Sequence, residues 1–424
     1  MTEFIIFLFL GLFLLDWTLE TGLAGLNLAH TLAGSDTPPA PLRGAMDEQT
    51  VRKSRAYTVA RLRFGLLRGV AGAGYLLLLL FSGLLPWLET LLRSWQFTGP
   101  HLFVAYLALL ALLSALLGLP FALYSTFRIE AAFGFNRMGL GLWLLDRMKG
   151  LLLAGLLGVP FLYGVYLFME SSGRWWWLWL FLFIALVQMV LVWLYPAFIA
   201  PLFNKFTPLP EGEPRRRMEE MARRARFRMA GIFTMDASRR SGHSNAYFTG
   251  LLRPRIVLFD TMLDEMSMEE SLSVLAHEIG HYREHHIHKG LALNLAGTLF
   301  MLWVLNLLVD WPPLFEAFGF AGPSHHAALT LVLAMGGPFT FYLEPLLAWI
   351  SRRHEYQADA FSLALLGMPG ALKSALIRLN GQNLANLRPH PWYAAYHYSH
   401  PTLLQRLAAI DRLAAQDQTR RVQA

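Results

Sequence analysis

The chain has 424 residues, of which 55% are hydrophobic and 15% charged, whereas a water-soluble protein of this size carries about 25% charged residues. It contains no cysteine, which excludes disulfides and thiolate metal ligands. The net charge of +7 is spread over loops flanking apolar runs, without a basic stripe of interleaved aromatics, which argues against nucleic acid and for anionic lipid as its counterpart.

Seven apolar runs, each of roughly 20 residues, predict seven membrane helices near 4–20, 64–85, 102–124, 150–169, 175–199, 290–309 and 327–350. Asp16 and Glu20 interrupt the first, and Glu344 and Pro345 the last. The start, Met-Thr-Glu-Phe, has no basic region and the first run has no clear small-residue cleavage site, so that run is expected to be retained as a helix. Basic residues fall in alternate loops: Arg43, Arg52, Lys53, Arg55 and Arg61 after helix one, Arg128, Arg137, Arg147 and Lys149 between helices three and four, and Arg215, Arg216 and Arg217 after helix five. That alternation places the N-terminus outside and the C-terminus in the cytoplasm.

Residues 204–276 are the first sizeable soluble stretch. Pro208, Pro210 and Pro214 open it as a loop, and 215–229 reads as a basic helix. Strand patterns follow at 231–238, 243–249 and 255–260, giving an expected small antiparallel sheet. Ser267 with Glu270 three residues on predicts a capping box opening the next helix. Residues 351–424 are again polar and helical. The chain thus divides into 1–203 (helices one to five), 204–289 (first part of a cytoplasmic catalytic unit), 290–350 (helices six and seven) and 351–424 (its second part).

The helix after Ser267 carries His277-Glu278-Ile279-Gly280-His281. Two histidines four apart share one helix face, a spacing that grips one tetrahedral zinc ion, with the glutamate placed to act on a water. A third protein ligand is needed, and Glu355 in Ser351-Arg-Arg-His-Glu-Tyr-Gln-Ala-Asp359 is the best candidate, on what reads as a helix continuous with helix seven. Asp359, one turn on, is placed to fix the tautomer of a ligand histidine, or else is a helix-surface carboxylate. His285 lies about 12 Å up the helix from His277, so the His285, His286 and His288 cluster reads as interfacial. His354 points to another face.

These motifs closely resemble the type I CAAX prenyl proteases, integral-membrane zinc endopeptidases. The resemblance rests on Tyr195 to Leu209, His243-Ser-Asn-Ala-Tyr-Phe-Thr-Gly250, His277 to His281, Ser351 to Phe361 and Tyr398-Ser-His-Pro-Thr-Leu-Leu-Gln-Arg406. It implies a mostly α, polytopic membrane protein. Seven transmembrane helices would form an α-barrel around an intramembrane chamber, beneath a cytoplasmic zincin-like α+β catalytic domain. Glu355 would be the third zinc ligand. Asp16, Glu20 and Glu344 suit a wet chamber or pairing within a packed bundle.

The implied chemistry is hydrolysis of peptide bonds near the membrane surface. Zn2+ would be held by His277, His281 and Glu355. Glu278 would be general base and then acid. His400 and Arg406 would stabilise the oxyanion or clamp substrate, with a structural ion pair as Arg406's other reading. Substrate would lie along the 243–249 strand, touching Asn245, Ala246 and Tyr247, with a turn or edge role as the alternative for Asn245. The expected partners are a peptide or protein, prenylated or membrane-associated, and membrane lipid. No nucleic acid is expected, and the chain is expected to be a monomer. The final residues carry no recognisable ER-retention signal, so a bacterial inner membrane stands beside the ER membrane. A quality-control metalloprotease shares the chemistry, and a seven-helix receptor or transporter is the alternative of another class.

Overall fold

The computed structural model describes residues 1–250, 254–263 and 265–423. Five long helices open the chain: α1 (Thr2–Ala33), α2 (Glu48–Phe81), α3 (Gly99–Glu130), α4 (Leu140–Ser171) and α5 (Gly173–Phe203). The 34 residues of α2 rise about 50 Å at 1.5 Å each, well beyond roughly 30 Å of hydrocarbon. The apolar runs in the sequence therefore mark only the middles of longer helices. The ends, such as the first turns of α2 with Arg52, Lys53 and Arg55, extend past the apolar core. Asp16 and Glu20 do not interrupt α1, because a side-chain carboxylate leaves the backbone ladder intact. α3 closes in a π-helical turn, Ser125–Glu130, and α5 carries one before its last turn, Tyr195–Ile199, at Pro196, which has no N–H to give.

The soluble stretch holds β1 (Phe206–Pro208), α6 (Glu213–Arg224), β2 (Gly231–Met235), β3 (Ala246–Thr249), β4 (Arg255–Phe259) and α7 (Met268–Arg283). The sheet order is β1-β2-β4-β3, and β2 pairs with β4 in parallel. The expected antiparallel sheet is thus corrected to a mixed one. β4 inserts between β2 and β3, parallel to the first and antiparallel to the second. The first strand, at Pro208, falls where the prolines indicated a loop. Helix α6 ends earlier than 229 because Arg226 takes a positive φ of 51°.

The chain re-enters the apolar layer in α8 (His286–Leu308) and α9 (His325–Phe341) and continues in α10 (Glu344–Leu366). Six helices among the described residues are long and apolar enough to cross a membrane, and the α9–α10 pair, bent by 62°, makes the seventh. Pro345 sits in the first turn of α10, where its ring and missing N–H would break a continuing ladder. The expected unbroken helix from span seven into Glu355 is therefore corrected: Glu355 rides on α10, which starts afresh at Glu344. Helices α11 (Pro369–Gln382), α12 (Pro391–His397) and α13 (Leu403–Gln423) complete the chain.

One core ties the two soluble parts together. Met218, Ile232, Ile256, Leu258, Leu275 and Ile279 are buried with Ala375 of α11, so burial is shared across the intervening α8–α9 hairpin. The soluble layer is fixed to the membrane helices by polar contacts. Arg240 donates through Nε (2.8 Å) and Nη2 (3.1 Å) to the carboxylate of Asp146 in α4, a bidentate geometry that sets angle as well as distance. Tyr57 of α2 donates to Glu130 at 2.7 Å, and Glu130 lies 3.3 Å from His243 Nε2. Beneath this junction a cavity of about 630 Å³ opens between α1, α2 and residues 383–398.

Candidate metal centre

Helix α7 is started by a capping box. Ser267 Oγ accepts from the Glu270 N–H, and the Glu270 carboxylate accepts from the Ser267 N–H at 2.8 Å. Glu270 also accepts from Ser374 (2.5 Å) and Arg378 (3.1 Å). Burial pushes its carboxyl up, and these donors outweigh it, holding Glu270 below the ordinary glutamate value. The buried face of α7, with Leu272, Leu275, Ala276 and Ile279, lies on the sheet core. Its other contact is with α10, where Gly280 has no side chain for a reason: a Cβ there would meet Ala358 Cα at 2.9 Å and Phe361 Cβ at 3.2 Å.

That close approach brings three donors together. His277 Nε2 and His281 Nε2 lie 3.2 Å apart, and Glu355 reaches them at 3.5 and 3.3 Å. All three ligand atoms fall within 4.8 Å of one another. Asp359, one turn past Glu355, accepts the Nδ1–H of His277 at 2.9 Å. That bond makes Nε2 the nitrogen of His277 that offers a lone pair to a metal when the ring is neutral. Glu355 Oε2 is buried, and the groups nearest it, His400 Nδ1 at 2.9 Å and Arg406 Nη1 at 3.5 Å, meet it without hydrogen-bond geometry. Two imidazole nitrogens and a carboxylate oxygen that converge on one point are the groups a divalent cation draws together. The donor set fits a divalent metal with two histidines, one carboxylate and an open position.

The surroundings fix these ligands. Arg406 on α13 donates to Asp359 from Nε (2.9 Å) and Nη2 (2.5 Å) and lies 3.5 Å from Glu355. His400 Nδ1 stands 2.9 Å from Glu355 while most of its ring stays open to the site. Burial pushes His277 down, but Asp359 and Glu355 beside it lift it to about 9. Burial drives Glu278 up. Burial also acts upward on Glu355, where the close approach of His277, His281 and His400 outweighs it and holds the carboxyl far below its usual range.

His286 departs from its interfacial reading. It is buried, its Nδ1 lies 3.1 Å from His281 Nδ1, and its Nε2 lies 2.8 Å from Gln357 Oε1. With Nε2 of His281 turned to the metal position, the bonding runs one way: His281 Nδ1–H to His286, and His286 Nε2–H to Gln357. The reason is His285, whose φ of 58° ends α7 and folds the next residue back under the site. His354 does face away from the metal position, and stacks on His286 at 3.9 Å. The substrate residues expected on the sheet fall at β3, an edge strand. Asn245 is exposed just before it, Ala246 is buried, and the Tyr247 hydroxyl points to Met235 sulfur at 3.8 Å.

Comparison with known proteins follows the same two parts. A family model described as the CAAX prenyl protease N-terminal region, five membrane helices, matches residues 27–205, and that of peptidase family M48 matches residues 208–414. The chain is 36% identical to the CAAX prenyl protease 1 homolog of Oryza sativa subsp. japonica, covering 90% of this chain and 92% of that protein. It is also 36% identical to CAAX prenyl protease 1 of Saccharomyces cerevisiae, covering 90% and 89%. The crystal structure of S. mikatae Ste24p matches with a TM-score of 0.89 at 32% identity, covering 95% of this chain and 97% of that one. The receptor or transporter alternative does not survive these matches.

Proposed function

We propose, from the premise that this chain belongs to peptidase family M48 and is an integral-membrane metalloprotease, that it binds zinc through His277, His281 and Glu355 and trims the C-terminal tail of prenylated proteins. The observation that carries the metal assignment is the meeting of three ligand atoms, from two separate helices, within 4.8 Å. When bound there, zinc supplies the Lewis acidity that polarises a carbonyl and brings a water's pKa towards 7.

The chain's own residues do the rest. Glu278, next to the first ligand and pushed up by burial, takes the proton of the attacking water and delivers it to the leaving amine. His400, open on the substrate side and 2.9 Å from Glu355, is the donor placed to meet the developing oxyanion. Arg406 commits its guanidinium to Asp359, so it acts by holding Asp359 and, through it, the tautomer of His277. Substrate adds to the free edge of β3, where backbone pairing accepts many sequences, with Asn245, Ala246 and Tyr247 alongside. Every group comes from one chain, which suits a monomer. The alternation of basic loops supports a cytoplasmic catalytic side with the N-terminus outside.

The test compares a farnesylated peptide with its unlipidated twin on the zinc-loaded protein. Faster hydrolysis of the farnesylated peptide supports prenylated substrates. Equal rates would reassign the enzyme to unlipidated membrane substrates, as in quality control, and leave the metal chemistry standing.

A further inference from the structure

In an antiparallel ladder the backbone groups of alternate residues turn to opposite sides of the strand. Asn245 C=O accepts from Phe259 N–H at 3.1 Å, which turns Asn245 inward to β4. Ala246 stands opposite Leu258 and Phe248 opposite Ile256. The N–H and C=O of Ala246 and Phe248 therefore turn to the outer edge, the side that faces no other strand among the described residues. The Ala246 N–H meets Asn245 Oδ1 of its own chain at 2.8 Å, a contact that a substrate carbonyl can displace. By the same alternation Ser244 turns outward, but its edge is occupied. Ser244 N–H donates to Asn383 Oδ1 at 3.2 Å, and Ser244 C=O accepts from Asn383 Nδ2 at 3.1 Å. One side-chain amide thus makes both bonds that a residue of a neighbouring strand would make.

Asn383 is held in this place from several sides. His243 Nδ1–H donates to the same Oδ1 at 3.0 Å, and the His243 ring stacks on Phe135 at 3.9 Å. Asn383 itself ends α11, because Leu384 after it takes a φ of 46°. Leu384 N–H returns to Gly381 C=O and Ala385 N–H to Asn380 C=O, the closing bonds of a helix end whose left-handed residue is usually glycine. Leucine is disfavoured in that conformation, and burial against Tyr57 of α2 with Ile129 and Phe135 keeps it there. Ser54 of α2 donates to Ala385 C=O. The membrane helices thus secure the turn that presents the Asn383 amide to the strand. Backbone strain maintained at such a place points to a use.

We infer that Asn383 closes the substrate edge of β3 at Ser244, so that peptide backbone pairs as far as Ala246 and must leave the strand there. A peptide antiparallel to β3 travels from Thr249 towards Ala246, and the next outward residue, Ser244, offers it neither donor nor acceptor. Asn383 is then a specificity-determining residue: it sets how much of the substrate is held extended, and with that the register of the peptide against the metal centre. This rests on the peptidase reading above and on substrate pairing with β3.

The experiment uses the full-length zinc-loaded protein and one peptide that extends past both ends of β3, with each backbone N–H except that of the scissile bond replaced in turn by N-methyl. Where the methyl group removes a ladder bond, kcat/KM should fall ~2- to 10-fold against the parent peptide, the size of one hydrogen bond. In the wild type the sensitive residues, spaced by two, should end at the one opposite Ala246, and the residue two further towards the C-terminus should tolerate the methyl group. In Asn383→Ala that further residue should become sensitive by the same ~2- to 10-fold. Asn383→Asp, which still fills the edge, should keep the wild-type pattern. Because each ratio compares two peptides on one preparation, partial misfolding does not move it. A pattern in Asn383→Ala that ends where the wild-type pattern ends, with all rates lowered together, marks a merely structural asparagine and overturns the inference. A wild type indifferent to every methyl group overturns substrate pairing with β3, and this inference with it. Failure of the wild type to cut the parent peptide overturns the peptidase reading itself.

Discussion

Glu278 and Glu355 face the same two imidazoles with different tasks. In the proposed mechanism Glu355 belongs with the ligands, and Glu278 is free to move a proton. Glu278→Gln should keep stoichiometric zinc and lose ~100- to 10,000-fold in kcat. Glu355→Ala should lose both, which elemental analysis of the washed protein separates. His286 acts at one remove: His286→Ala should weaken metal binding ~10- to 100-fold, read as faster zinc loss to a chelator. Helical spacing picks out His277, Glu278 and His281 in the sequence, while Glu355 and Asp359 stood out through their own His-Glu-x-x-x-Asp stretch and the family resemblance. His286 did not stand out. It reaches the site through a left-handed turn at His285, and no glycine or asparagine in the sequence marks that turn.

At the scale of helices, the site depends on how closely α7 and α10 approach. Gly280→Ala places a methyl group 2.9 Å from Ala358 Cα, so the helices must part. A cost of about 1–3 kcal/mol should appear as a lowered melting temperature together with weaker zinc binding, since Glu355 moves with α10. Glu270 sets the start of α7. Its carboxyl is held below the ordinary glutamate value in the folded state. Its contribution is therefore complete above that ordinary value and is lost as pH falls through the lowered one. Glu270→Ala should destabilise by about 1–3 kcal/mol at neutral pH, and the difference from wild type should shrink in acid, as melts across pH will show. The capping box and the membrane helices could be read from local pattern. The parallel β2–β4 pairing could not, because it depends on β4 inserting between strands that precede it.

For the whole molecule, the proposed side of each loop rests on the alternation of basic charge. The native chain has no cysteine, so single substitutions at exposed serines report topology cleanly. Ser35→Cys, after α1, should react with a membrane-impermeant thiol reagent only from the cytoplasmic side, and Ser171→Cys, at the end of α4, only from the other. Reversed labelling would invert the assigned orientation. The number of helices was legible from apolar length. The cavity was not, because periodicity does not say which faces of long helices stand apart.

The ligands straddle the α8–α9 hairpin, and this bears on biosynthesis. A ribosome that has released His277 and His281 has delivered two of the three proposed ligands. The carboxylate follows after two more passages through the bilayer, and the Asp359 anchor on Arg406 later still. With these ligands, the growing polypeptide should stay proteolytically silent until translation is nearly finished, which chains truncated before Glu355 will check by showing neither bound zinc nor hydrolysis.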